Sequence, residues 1–190
     1  MMLGDSTAAQ RKAVICWLLE QSEPWVRYRT LVDLLGLPED DAEVRRSRDE
    51  MVAHPRIRAL IEELAAWPGY PLKRHNDARH PLHKLAVLAD FGLRENDPGM
   101  ADVFRAVLSH QSPEGAFQSL VYVPTAFGGT NTAQWAYLHC DAPTILYALE
   151  RQGLGGHPAV RRATAHLVAA ARDNGWPCRA SAEPGRFRGP

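Results

Sequence analysis

Charge of one sign is what this 190-residue sequence lacks most plainly: Lys plus Arg number 22, and so do Asp plus Glu. A chain without net charge offers no electrostatic footprint for nucleic acid or an anionic membrane, and neither is expected as a partner. Long apolar runs are missing as well, so no membrane-spanning helix is expected. The opening Met-Met-Leu-Gly-Asp-Ser has no basic stretch followed by an apolar core, as a secretory leader would. Cysteine is scarce and odd in number (Cys16, Cys140 and Cys178), which excludes a disulfide framework. These absences predict a cytoplasmic protein. Also missing are a Cys-x-x-Cys pair, a Gly-rich phosphate loop, a Ser–His–Asp string and a paired-carboxylate motif.

What is present is a repeat. Leu35-Gly36-Leu37, Phe91-Gly92-Leu93 and Gln152-Gly153-Leu154 each stop a helical run, and a second helical run follows each stop. The glycines lie 56 and 61 residues apart, so the unit is a helical hairpin with its connecting loop. With 45% apolar residues the chain can build a core, but one hairpin cannot bury its apolar face alone and must stack on the next. The expected fold is all-α: one domain over 1–190, with a first unit and an extra helix at 7–69, a second unit at 80–117 and a third at 142–180.

Apolar spacing and caps place helices at 7–21, 24–36, 41–52 and 55–66. Pro81 to Gly92 forms the first helix of the second unit. Asp97-Pro98 then starts a helix over 98–110, with proline at its first position. In the third unit a helix from Pro143 runs towards Gly153, and His157-Pro158 opens another over 158–173. Residues 112–141 are irregular and longer than an ordinary connection, which points to function or to structure of their own. Within the excursion at 118–141, Gln118–Val123 and Gln134–Leu138 are rich in strand formers and predict a small β-hairpin. The tail, 181–190, has no apolar period and reads as a chain cut short.

Two phrases close the second helices of the last two units: Gln111-Ser-Pro-Glu-Gly-Ala-Phe117 and Asp173-Asn-Gly-Trp176. They resemble the Gln–Gly–aromatic motif of the prenyltransferase and squalene-cyclase repeat. The resemblance implies an α/α toroid, in which inner helices ring an apolar cavity, and three pairs resemble half of a closed ring. A second copy or a partner subunit completing the ring is implied too. The acidic Asp-x-Asp-Asp motif of the cyclases does not occur. The Asp-x-Cys zinc motif of the protein prenyltransferases is matched only by His139-Cys140-Asp141, in reversed order.

Setting the three units in register on their glycines aligns Arg27, His83 and Thr144, and three residues earlier Pro24, His80 and Asp141. These positions begin the three first helices, where unpaired N–H groups favour anions. The candidate ligand site is therefore a rim formed by Arg27, Tyr28, Arg29, His80, His83, Lys84, Cys140 and Asp141, with Trp135, Tyr122 and Tyr137 from the irregular excursion. Three readings of this rim stay open. It holds an anionic head through Arg27, Arg29, Lys73, Arg74 and Lys84. Alternatively, it holds zinc through His80, His83, Cys140 and Asp141, with His75, Asp77 or Cys178 in reserve. In the third reading, His80 and Asp141 only cap helices and the basic residues lie on solvated faces.

Asp141, Cys140 and His83 are the residues from which catalysis would be built, with Cys140 equally readable as a small buried side chain. The functional expectation is a ligand-binding protein that holds an apolar, prenyl-type molecule with its charged head at the rim. The alternative is a non-catalytic scaffold whose concave face binds a peptide or a protein subunit.

Overall fold

The computed structural model describes residues 3–127 and 129–177. It is mainly helical: α1 (Leu3–Leu19), α2 (Pro24–Arg29), α3 (Ala42–Ala53), α4 (Pro55–Ala65), α5 (Pro81–Phe91), α6 (Met100–Leu108), α7 (Ala142–Arg151) and α8 (Pro158–Ala169). Two short strands, β1 (Ser119–Tyr122) and β2 (Ala133–Ala136), pair antiparallel with Leu120 opposite Trp135. The hairpin expected between the second and third units is therefore present. No helix is long and apolar enough to cross a membrane among the described residues. Cys178 and the tail expected at 181–190 lie outside those residues.

Backbone packing divides the chain into two compact units, Met1–Arg58 and Ala59–Pro190. In the first, α2 packs on α3 around Tyr28, Leu31, Val44 and Met51, all buried. Asp41 caps α3 by accepting from the N–H groups of Glu43 and Val44. The helix expected over 24–36 changes character after Arg29, where Thr30–Leu34 form a π-helical turn closed by Leu35 N–H donating to the Thr30 carbonyl. Gly36 follows at φ +63°, the left-handed position where glycine is favoured as a helix stop.

In the second unit α5 packs on α7, and α7 on α8. Leu82, Leu85, Leu88, Ile145, Leu149 and Val160 are fully enclosed, each contributing about 1.5–3 kcal/mol of apolar burial. The glycine stops recur in conformation: Gly92 and Gly153 are left-handed at φ +95° and +102°. The two closing phrases also match, with Gly115 at +109° and Gly175 at +107° and a local backbone bridge at each.

Several helix boundaries differ from the sequence pattern, among them the start of α1, at Leu3 rather than residue 7, and the end of α6, at Leu108 rather than residue 110. α6 starts at Met100, not at Pro98, because Gly99 takes a left-handed N-cap at φ +85° and the Asp97 carboxylate turns back to accept from Arg94 N–H. α8 ends at Ala169, short of residue 173, since Arg172 and Gly175 close a separate turn. α1 likewise stops at Leu19.

Candidate functional site

The segment between α4 and α5 has no helical period, yet it builds the site. Leu72 lies alongside β1: its N–H donates to the Leu120 carbonyl (2.8 Å) and its carbonyl accepts from Tyr122 N–H (2.9 Å). β1 is thus bonded on both sides, and Lys73–Asn76 are carried along its exit. Residues 70–80 also close on themselves. Tyr70 Oη donates to Asp77 (2.8 Å), Asp77 accepts from Arg79 N–H, and the Tyr70 carbonyl accepts from His80 Nε2 (2.8 Å). The Tyr70 bond holds the Asp77 carboxyl below its usual range.

A half-open groove of about 730 Å³ runs between this segment and the hairpin. Leu72, Val121, Val123 and Leu138 supply its apolar wall, and Lys73, Arg74 and His75 the polar part of its lining. Lys73 sits over the Tyr122 ring, 5.4 Å from its centre, while Lys73 and Arg74 are both exposed.

His75 joins this groove to the start of α7. Its Nδ1 lies 2.9 and 3.1 Å from the two carboxylate oxygens of Asp141. The Cys140 sulfur is 3.6 Å from the same nitrogen and 3.8 Å from Nε2. Asp141 is buried, whereas His75 and Cys140 are exposed. Burial pushes the Asp141 carboxyl above its usual value, against the pull of His75 and, more weakly, of His83 and His80. Asp141 does not cap α7 through its side chain, which leaves the carboxylate committed to His75. The sulfur faces both imidazole nitrogens at similar distance, and Asp141 shares the nearer one. A nucleophile–base–orienter relay would place sulfur and carboxylate on opposite nitrogens.

The sequence-derived rim residues take different places. His80 is fully buried and caps α5: Nδ1 accepts from Leu82 N–H and Nε2 donates to Tyr70, so both nitrogens are committed. Burial holds its imidazole below the ordinary value. His83 donates from Nε2 to the His75 carbonyl (2.8 Å) and so supports the cluster from α5. Lys84 is paired with Glu63 at 2.5 Å, and Arg29 with Asp33 at 2.7 Å. Arg27 is paired with Glu50, and Tyr28 is buried in the first unit. Trp135 stacks on His110 with ring centres 3.4 Å apart. Tyr137 is buried beside His139 and His166.

Of the rim set, then, Cys140, Asp141 and His83 come together, and they do so around His75, a residue held only in reserve. Sequence reasoning missed the groove wall from Leu72. Its one signal is a lone apolar residue after Pro71, too short a stretch for any period to show. The chain matches no protein-family model, no curated protein and no solved structure.

Proposed function

We propose that the protein binds an elongated apolar molecule with an anionic head, of prenyl diphosphate type, in the groove between residues 72–76 and the β-hairpin. The observation that carries this reading is the pairing of an apolar wall with two exposed cations, Lys73 and Arg74, in one groove of about 730 Å³. That size suits a small-molecule ligand. Lys73, Arg74 and Tyr122 take the part of the head site, while the ion-paired Arg27, Arg29 and Lys84 are left to structural roles.

On the same reading the chain is a distant relative of the prenyltransferase and squalene-cyclase repeat proteins. The recurrence of left-handed glycines supports it. So does the seating of the first closing phrase on α8, where Gln111 Nε2 donates to the Ala159 carbonyl at 2.6 Å and Arg162 donates to the Gln111 side-chain oxygen.

Thermal unfolding with a prenyl diphosphate, the matching prenyl alcohol and inorganic diphosphate tests the proposal. Ligand at 100 times its Kd should stabilise by about 2.7 kcal/mol. The alcohol and the inorganic ion should each give less, and Lys73→Glu with Arg74→Glu should remove the preference for the charged head. No stabilisation at saturating prenyl diphosphate sinks the reading.

A further inference from the structure

We propose that His75, Cys140 and Asp141 form a zinc site: Nδ1, the thiolate sulfur and one carboxylate oxygen supply three ligands, and a fourth position stays open. The three ligand atoms lie within 4.8 Å of one another, and they combine the nitrogen, sulfur and oxygen donors that zinc accepts.

One edge of the cluster already has the length of a tetrahedral zinc site. Zinc–sulfur and zinc–nitrogen bonds of about 2.3 and 2.0–2.1 Å at a tetrahedral angle put sulfur and nitrogen about 3.5–3.6 Å apart. The Cys140 sulfur stands 3.6 Å from His75 Nδ1. The nitrogen–oxygen edge of such a site is about 3.4 Å, and His75 Nδ1 stands 2.9 and 3.1 Å from the Asp141 oxygens, the spacing of a shared proton. A bound ion takes that proton's place on Nδ1, the neutral imidazole carries its proton on Nε2, and the thiol proton is released. Local structure supports the arrangement. Cys140 and Asp141 are adjacent at the start of α7, and His83 holds the His75 backbone from α5. A buried carboxylate beside a single exposed imidazole gains a strong counter-charge when the ion arrives.

Three protein ligands leave one position for water or a ligand atom, the pattern of reactive rather than structural zinc. His75 also lines the groove, which puts the site beside whatever occupies it. The proposal rests on the cluster's own distances and holds whether or not the groove takes a prenyl ligand. The site differs from the one read off the sequence, because His80 has both nitrogens engaged.

The test uses untagged full-length protein purified without chelator, followed by chelation and cobalt titration. We expect about one equivalent of zinc per chain. The cobalt form should show visible bands of a tetrahedral ion and a near-ultraviolet thiolate-to-cobalt band. Cys140→Ser should erase the near-ultraviolet band, and His75→Ala should lose the metal with its circular dichroism unchanged, His75 being exposed. Should either variant misfold, zinc protection of Cys140 from alkylation in the unmutated chain, read by peptide mass spectrometry, replaces it. A protein that takes up neither zinc nor cobalt overturns the proposal. So does a thiolate band that survives Cys140→Ser, or alkylation of Cys140 that zinc does not slow. Lys73→Glu with Arg74→Glu should keep the metal, which separates this site's failure from that of the groove reading.

Discussion

His75 and Asp141 stand 66 positions apart in sequence and meet at 2.9 Å, an exposed imidazole against a buried carboxylate. The bond joins the irregular segment before α5 to the start of α7. Burial raises the Asp141 carboxyl despite this partner, so the ionised group is held at a net cost to the metal-free fold. Asp141→Asn, which keeps a hydrogen-bonding oxygen and removes the charge, should leave chelator-treated protein as stable as before or more so. Urea unfolding at neutral pH reads this. A loss above about 1.5 kcal/mol would mean that the charged bond is net stabilising.

The α5–α7 seam should dominate the stability of the second unit. Leu88 is fully enclosed there, while its neighbour Val87 is 38% exposed. Leu88→Ala should cost about 2–5 kcal/mol through lost burial and the cavity left behind. Val87→Ala should cost under about 1 kcal/mol. Equal losses in denaturant unfolding would show that the seam is not packed as described.

Two left-handed glycines should respond differently to alanine. Gly153 has open space where a Cβ would point, so only the backbone conformation resists, at about 1 kcal/mol. A Cβ on Gly115 would stand 3.0 Å from the Arg162 carbonyl oxygen, adding a steric conflict with α8. Gly115→Ala should therefore lower the melting temperature more than Gly153→Ala. The reverse order would argue against the seating of the closing phrase on α8.

Acid should weaken the fold through two histidines. Burial holds the imidazoles of His80 and His110 below the ordinary value of 6.5. The folded chain therefore prefers them neutral, and the unfolded chain takes up protons first as pH falls through 6.5. Stability is full above that value, declines below it, and levels off only once the folded imidazoles titrate. His110→Phe, which keeps a ring against Trp135, should make the decline shallower. Denaturant unfolding followed across this range would show an unchanged slope if His110 carries none of it.

The part of the fold legible in sequence was local. Gly92 and Gly153 announce helix stops because only a residue without a Cβ takes their left-handed conformation freely. His80 and His157 announce helix starts because each precedes a proline and offers a ring nitrogen to a free N–H two residues on. The small hairpin was readable from its strand formers for the same reason. Where such signals compete, position slipped, as at Asp97-Pro98-Gly99, where glycine took the cap that aspartate was expected to make.

By itself the sequence determined the helices, their stops, the hairpin and the neutral charge balance, since each follows from the preferences of a few neighbouring residues. Only tertiary structure decided which polar residues meet. Register on the glycines brought His80 and Asp141 to equivalent helix starts, yet one became a cap and the other a partner for His75. The groove and the His75–Cys140–Asp141 cluster both arise because Leu72 adds to the edge of β1, a pairing across nearly 50 residues. Long-range backbone pairing depends on what the rest of the chain leaves open at that edge, and no local pattern encodes it.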